Sequence, residues 1–251
     1  MTKKINNKKN KKNQQYNDHS FANRINFKLK NLIPITENQK KVFEAFSKNK
    51  NLLLTGTAGT GKSFISIYLA LKEVLEYQTY KQIIIVRSIV SSRDIGFLPG
   101  SIKEKIKVYE APYYAIFTEL FGRNDAYIYM KSKNIVDFMS TSFIRGITIN
   151  DSIIIVDEAQ NLIAQEWHSI ITRVGKNSRI IFVGDIKQND LNSQKEKSGF
   201  YDFLKIVQNM YEFEHIEFDK NDIIRSNLVK SYILTRELLE EKGLIACLST
   251  Y

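Results

Sequence analysis

The fold is decided by one stretch of the chain, Gly56-Thr57-Ala58-Gly59-Thr60-Gly61-Lys62-Ser63. This stretch matches the pattern G-x-x-x-x-G-K-[ST] at every fixed position. Its glycines permit a tight loop whose backbone N–H groups point inward at phosphate oxygens. A helix that begins at the end of the stretch adds the partial positive charge of its N-terminus. We name residues 56–63 the phosphate loop and predict that all eight bind the phosphates of a nucleotide.

Two side chains of the phosphate loop carry chemistry of their own. Lys62 can reach the β- and γ-phosphates, and the hydroxyl of Ser63 can bind Mg²⁺. A chance match to the pattern is the competing interpretation. The flanking sequence disfavours it, because the apolar run 52–54 precedes the loop and apolar residues at helical spacing follow it over 64–75.

Short apolar runs alternate with helical patterns along the rest of the chain. The runs of strand length are Gln82–Arg87, Ser152–Asp157, Arg179–Val183 and Glu212–Phe218. Helical patterns separate them, and a final helix is predicted from Asn227 to Lys242. Such alternation is typical of an α/β fold with a mostly parallel sheet and helices on both faces. These folds bind ligands beyond the carboxyl ends of their strands, where the phosphate loop lies.

The apolar run Ile153–Val156 is followed by two adjacent acids, Asp157 and Glu158. Because side chains alternate along a strand, the two carboxylates need not share a direction. We predict that Asp157 binds the metal together with Ser63, and that Glu158 acts as general base or orients the attacking water. Two solvated acids at a strand end are the alternative, which the phosphate loop upstream disfavours. A water-activating glutamate also argues against a kinase.

A third motif follows the run Arg179–Val183, where the chain continues Gly184-Asp185-Ile186-Lys187-Gln188. Alone, Gly-Asp after a strand indicates only a turn. Gln188 could hydrogen-bond the γ-phosphate or the attacking water and so report hydrolysis to neighbouring elements. The chain has three motifs in a fixed order: the phosphate loop, then Asp-Glu-Ala-Gln, then Gly-Asp-x-x-Gln. In this order they resemble the motifs of the first RecA-like domain of superfamily 1 helicases.

Further segments resemble the PhoH family of ATPases in particular. They are Gly96-Phe97-Leu98-Pro99-Gly100, Pro112-Tyr113, Phe143-Ile144-Arg145-Gly146, Asp157-Glu158-Ala159-Gln160-Asn161, Asp222-Ile223-Ile224-Arg225 and Leu228-Val229. The resemblance covers about residues 35–235. It implies a RecA-like P-loop fold, hydrolysis of Mg-ATP, and a link to RNA or single-stranded nucleic acid.

The chain departs from that family at two places. The family often has Arg-Gly-Arg where this chain has Arg145-Gly146-Ile147, so one basic contact is missing. Its Val-Arg-His-Pro pattern is replaced by Ile224-Arg225-Ser226-Asn227. Both changes leave the residues expected at the ATP site intact.

Four more residues receive roles, each with a plainer alternative. Gln39 resembles the glutamine that reads the adenine edge in helicase-like ATPases, since a planar amide can both donate and accept. Its alternative is a helix capping box with Thr36. Arg225 and Arg145 are candidates for the cation that stabilises the transferring phosphoryl group, and the family favours Arg225. Arg145 and Arg87 are candidates for nucleic-acid contact, although any of these arginines could form an ordinary ion pair.

The charge of the chain is concentrated at its start. The 251 residues carry a formal net charge of +10, and residues 1–30 hold nine lysine or arginine side chains against one acid, Asp18. Lysine mixed with asparagine and glutamine predicts a disordered basic tail over 1–30. The ATPase domain is then predicted at 31–243, with a C-terminal tail at 244–251. A nucleic-acid-binding arm and a merely solvated segment are alternative interpretations of the basic tail.

Composition excludes several classes of protein. No apolar run approaches the ~20 residues of a membrane helix, and no apolar segment follows the first lysines as a signal peptide requires. The single cysteine, Cys247, cannot form an intramolecular disulfide. We therefore expect a soluble, cytoplasmic protein with no membrane partner. Tyr109, Tyr113 and Tyr114 form the aromatic cluster most worth testing as a base-stacking platform, with core packing as the alternative.

The sequence thus predicts a Mg²⁺-dependent ATPase that binds ATP and Mg²⁺ and acts on single-stranded RNA or DNA. A superfamily 1 helicase uses two RecA-like domains, whereas 251 residues hold one. Motor action is therefore expected to need a homo-oligomer such as a ring, with one subunit's arginine completing its neighbour's site. The alternative is an ATP-gated nucleic-acid-binding or assembly module with slow hydrolysis, and a small-molecule kinase is a third, disfavoured hypothesis.

Overall fold

The computed structural model describes residues 27–89, 102–185 and 194–245, without the side chains of 102–105 and 194–198. These residues contain a six-stranded sheet in the order β3-β2-β4-β5-β1-β6. The strands are β1 (Asn51–Gly56), β2 (Gln82–Arg87), β3 (Val136–Ser140), β4 (Ser152–Asp157), β5 (Arg179–Val183) and β6 (Phe213–Phe218). All neighbouring strands are parallel, which confirms the predicted sheet.

Helices connect the strands throughout the described ranges. They are α1 (Glu37–Ser47), α2 (Lys62–Lys72), α3 (Ile102–Phe121), α4 (Ala126–Ser132), α5 (Ala164–Ile171), α6 (Gln194–Gln208) and α7 (Asn227–Glu241). A π-helical turn, Glu73–Tyr77, extends α2, and short 3₁₀ helices lie at Thr141–Phe143, Ala159–Asn161 and Lys220–Asp222. None of the helices in the described part of the chain is long and apolar enough to cross a membrane.

Both faces of the sheet are buried. Successive residues of a strand point to opposite faces, so neighbouring residues of β1 belong to different buried clusters. Leu52 and Leu54 of β1 belong to one buried cluster, which includes residues of α1 to α4. Leu53 belongs to a second cluster, formed with α5 and α6. There Trp167 stacks on Phe203 with ring centroids 4.2 Å apart. Burial on both faces explains why these strands are continuous apolar runs in the sequence.

The region 88–150 contains two elements that the sequence did not predict. Strand β3 lies at the edge of the sheet and alternates between buried and half-buried residues, so it lacks a continuous apolar run. Helix α4 has only seven residues, too few to establish a helical period. Residues 1–26 and 246–251 lie outside the described part, so the tails at 1–30 and 244–251 and the domain 31–243 stay predictions.

Strand order brings three of the predicted motifs to one edge of the sheet. Strand β5 lies between β1 and β4. Because all three are parallel, the phosphate loop after β1, the acids at the end of β4 and the Gly184-Asp185 turn after β5 share the carboxyl edge.

Candidate nucleotide-binding site

The phosphate loop is held against the end of β6. Gly56 has φ +107°, and a Cβ added there would overlap the carbonyl oxygen of Phe218. The next residue, Thr57, donates its backbone N–H to that same oxygen over 3.1 Å. Within the loop, the hydroxyl of Thr60 donates to the carbonyl of Thr57 over 3.0 Å. Glycine is required at position 56 because the chain turns in a left-handed conformation directly beside another backbone.

Lys62, the first residue of α2, folds its side chain back into the loop. Its Nζ donates to the carbonyls of Gly56 (2.8 Å) and Thr57 (2.7 Å). Burial lowers the pKa of Lys62 below its ordinary value, while the nearby carboxylates of Asp185 and Glu158 act in the opposite direction. The loop therefore holds a buried cation where the sequence predicts the β- and γ-phosphates.

Ser63 and Asp157 are in direct contact. The hydroxyl of Ser63 donates to Oδ1 of Asp157 over 2.8 Å, and the phenol of Tyr113 donates to Oδ2 over 2.9 Å. A hydroxyl and a carboxylate are oxygen ligands of the kind Mg²⁺ prefers, usually completed by water and substrate phosphates. These residues thus fit a magnesium ion that a triphosphate completes. No group of three or more His, Cys, Asp or Glu side chains able to hold a metal occurs among the described residues.

Glu158 follows Asp157 in a left-handed backbone conformation, with φ 51°. Its Oε2 accepts a 2.7 Å hydrogen bond from the amide of Gln160, whose Oε1 in turn accepts from the backbone N–H of Asp185 at 2.9 Å. Arg87 pairs with Asp157 in the register of β2 and β4, and its Nη2 lies 3.9 Å from Oε1 of Glu158. Glu158 is thus tied to the turn after β5 and faces a cation from β2.

The segment after β6 lies over the phosphate loop. The backbone N–H of Ile224 donates to the carbonyl of Gly59 over 3.2 Å. A Cβ added at Gly59 would lie 2.9 Å from Cγ of Arg225. Arg225 is itself exposed. The predicted phosphoryl-stabilising arginine therefore borders the loop of its own chain.

Gln39 is buried beside the phosphate loop, with 2% exposure. Its Oε1 accepts from the backbone N–H of Ile35 at 2.7 Å, and its Nε2 donates to the carbonyl of Thr60 at 3.3 Å. Thr36 caps α1 by accepting from the backbone N–H of Gln39, which is one half of a capping box. Oε1 of Gln39 accepts from Ile35, one residue before the N–H that the other half would use. The Gln39 side chain thus joins the start of α1 to the loop, and adenine contact stays a prediction.

The remaining predicted residues lie apart from this cluster or outside the description. Arg145 is exposed in the turn after β3, and within the described ranges no hydrogen bond or ion pair joins it to the phosphate loop. Gln188 and the segment 96–100 fall outside the described residues. Tyr113 is 0% exposed, so it cannot serve as the base-stacking platform considered for it. Tyr109 instead lies over the guanidinium of Arg87, at 5.7 Å.

Two site residues have functions that the sequence does not predict, because Gln160 receives no role there and Tyr113 only the base-stacking role that its burial excludes. Gln160 appeared only as the last letter of Asp-Glu-Ala-Gln, and its position two residues after Glu158 was the available signal. Tyr113 appeared as an aromatic residue. Its spacing from Phe117 and Phe121, four residues apart each time, indicates the buried face of α3.

The parallel sheet has the phosphate loop after β1, a carboxylate at the end of β4 and one strand, β5, inserted between these two strands, which is the arrangement of the RecA-like class of P-loop folds. The model of the family described as "PhoH-like protein" matches residues 31–236. The chain belongs to this PhoH-like family, which confirms the resemblance found in the sequence.

Relatives from several bacteria share this region. The PhoH-like protein of Bacillus subtilis (strain 168) is 31% identical over 227 residues, which cover 89% of this chain and 70% of the relative. That of Mycobacterium tuberculosis (strain H37Rv) is 31% identical, with 85% of this chain and 60% of the relative covered. Protein PhoH of Escherichia coli (strain K12) is 32% identical, with 76% of this chain and 54% of the relative covered. The chain thus spans less than two thirds of the last two relatives.

Solved structures overlap with the chain only partially. The Hef helicase domain of Pyrococcus furiosus has a TM-score of 0.44 at 13% identity. The overlap covers 75% of this chain and 40% of the Hef chain. Bacteroides Pif1 bound to ssDNA has a TM-score of 0.36 at 15% identity, and the overlap covers 75% of this chain and 42% of the Pif1 chain. The fold class follows from the strand order and the phosphate loop and does not depend on these partial overlaps.

Proposed function

We propose that the protein hydrolyses ATP in a Mg²⁺-dependent reaction and couples it to binding of single-stranded RNA or DNA. The observation that carries the proposal is the 2.8 Å contact between Ser63 and Asp157, beside the buried cation of Lys62. A hydroxyl, a carboxylate and a lysine at the start of a helix suit a triphosphate with its metal.

The phosphate loop binds the triphosphate in this proposal. Its backbone N–H groups and Lys62 contact the phosphates, and Lys62 exchanges its carbonyl partners for phosphate oxygens. Ser63 and Asp157 would hold Mg²⁺, which supplies charge neutralisation at the β- and γ-phosphates when bound. Gln39, at the side of the loop near Thr60, would contact adenine after giving up one of its present bonds.

Hydrolysis needs an oriented water, and Glu158 is the group proposed to orient it. Gln160 holds one of its oxygens at 2.7 Å, which limits the directions the carboxylate can take. Arg225, against Gly59 of the same chain, would stabilise charge on the transferring phosphoryl group. Gln188 is proposed to sense the γ-phosphate.

Arg87 is proposed to bind nucleic acid and so to link that binding to the ATP site. Its guanidinium lies 3.9 Å from Glu158 and 5.7 Å from the ring of Tyr109. A polymer phosphate at Arg87 would compete with Glu158 for the cation, so binding would change the surroundings of the water-orienting group. Arg145 and the basic tail would add further phosphate contacts. A homo-oligomer is proposed as the form in which a single RecA-like domain acts as a motor.

One observation favours the alternative, an ATP-gated binding module with slow hydrolysis. Glu158 is engaged by Gln160 and faced by Arg87, an arrangement that restrains the proposed water-orienting group. Slow turnover in the absence of a partner would follow from it.

Rates of phosphate release test the proposal and separate the two candidates. They should be measured with no polymer, single-stranded RNA, single-stranded DNA and duplex. A rise with a single strand supports the coupled ATPase. Slow turnover that no polymer changes, together with ATP-dependent assembly, supports the binding module. ATP consumption without free phosphate would overturn both in favour of a kinase.

A further inference from the structure

Asp157 accepts one described hydrogen bond on each of its carboxylate oxygens. Oδ1 accepts from Ser63 at 2.8 Å, and Oδ2 accepts from the phenol of Tyr113 at 2.9 Å. Ser63 belongs to the phosphate loop and is a proposed metal ligand. Tyr113 comes from the middle of α3 and has no part in the proposed function, although it touches the central acid of the site.

The ring of Tyr113 is fixed in place. The residue is 0% exposed, and its ring centroid lies 5.9 Å from that of Phe138 and 6.5 Å from that of Tyr127. The phenol is the donor in its bond to Asp157, because a carboxylate oxygen can only accept. Asp157 is only 6% exposed, so water would not easily replace this donor.

We propose that Tyr113 is a positioning residue whose hydroxyl fixes the carboxylate of Asp157 so that Oδ1 faces Ser63 and the metal. The inference rests on the proposed function, because it assigns the device that orients the metal-binding acid. Hydrogen bonds to metal-binding groups fix their orientation, and losing one typically costs about 10–100-fold in metal affinity. The plain alternative is a core tyrosine whose hydroxyl merely finds a nearby acceptor.

Tyr113→Phe separates the two, because phenylalanine keeps the ring and its packing and removes only the donor. Affinity for a fluorescent ADP analogue is measured on the full chain in EDTA and across a series of Mg²⁺ concentrations. We expect wild-type affinity in EDTA and a Mg²⁺ requirement raised about tenfold. Each variant is compared with itself in EDTA, so a loss of folded protein does not mimic the effect.

Tyr127→Phe is the matched control. Tyr127 is 1% exposed in the same aromatic cluster, and its hydroxyl donates to Glu110 at 3.1 Å instead of to Asp157. Its loss should leave the Mg²⁺ requirement unchanged. An unchanged requirement in Tyr113→Phe, an equal shift in both variants, or a failure of Tyr113→Phe alone to fold would overturn the proposal. Nucleotide binding that ignores Mg²⁺ in the wild type would instead overturn the proposed function.

Discussion

Oγ of Ser63 lies 2.8 Å from Oδ1 of Asp157, although the two residues are 94 positions apart in the chain. The contact joins the first turn of α2 to the end of β4, across the intervening strand β5. Two oxygen atoms this close can bind one cation. The phosphate loop and the acidic end of β4 therefore form a single site rather than two neighbouring ones.

Glu158→Gln should abolish most ATP turnover without abolishing ATP binding. Glutamine keeps the shape of the side chain and loses the basic oxygen, and general base catalysis contributes about 10²–10⁴-fold. Steady-state phosphate release measures turnover, and a fluorescent ATP analogue measures binding.

An exposed glutamate outside the site provides the control for that variant. Glu214 lies in β6 and is exposed, so Glu214→Gln should hydrolyse ATP at the wild-type rate. Normal hydrolysis by Glu158→Gln would remove Glu158 from the mechanism.

The parts of the site that the sequence predicted are those encoded locally. The phosphate loop is one continuous motif, and β2, β4 and β5 have the predicted bounds because strands buried on both faces are apolar throughout. The sequence predicts that Asp157 binds the metal together with Ser63, because P-loop NTPases hold Mg²⁺ with the loop hydroxyl and a strand-end aspartate.

The parts that were not predicted depend on contacts between distant segments. The bond from Tyr113 to Asp157 spans 44 residues, and helical spacing predicts that Tyr113 is buried but not which group its hydroxyl meets. The contact of Arg225 with Gly59 requires the chain after β6 to turn back over the loop, which no local pattern specifies. For Gln39 the sequence offers two roles, and the side chain serves both ends: its Oε1 accepts from Ile35 at the start of α1, and its Nε2 donates to Thr60 of the loop.

Removal of residues 1–20 should flatten the salt dependence of single-strand binding and spare the basal ATPase rate. That segment holds six lysines, and each phosphate neutralised on a single strand contributes about 0.7 to the log–log salt slope. We expect the slope to fall by up to about 4. Replacing the same six lysines by glutamine, at full length, should reproduce the change, and an unchanged slope in both would exclude a nucleic-acid arm.

His215 should make the protein less stable as the pH falls below its ordinary pKa of 6.5. Burial lowers the pKa of His215 in the folded state, and Oγ1 of Thr55 lies 2.8 Å from its Nε2. The unfolded chain therefore binds more protons than the folded one below pH 6.5, so stability is complete above that value and declines beneath it.

Thermal unfolding between pH 5 and 7.5 measures this effect. His215→Asn should reduce the fall in melting temperature on acidification. His168 is exposed on α5, so His168→Asn should keep the wild-type profile. Equal profiles for wild type and His215→Asn would show that other groups control the acid response.

Arg225→Ala should lower the ATPase rate by about 10³-fold or more, since an arginine that stabilises the transferring phosphoryl group contributes 10³–10⁵. Arg225 lies against Gly59 of its own chain, so we expect it to act within that chain. Mixing Arg225→Ala with Lys62→Ala tests this, because one variant keeps an intact loop and the other an intact arginine. The mixture should stay inactive, whereas recovered phosphate release would show that the arginine serves a neighbouring subunit. Arg123→Ala, which removes an exposed partner of Asp125, should retain the wild-type rate.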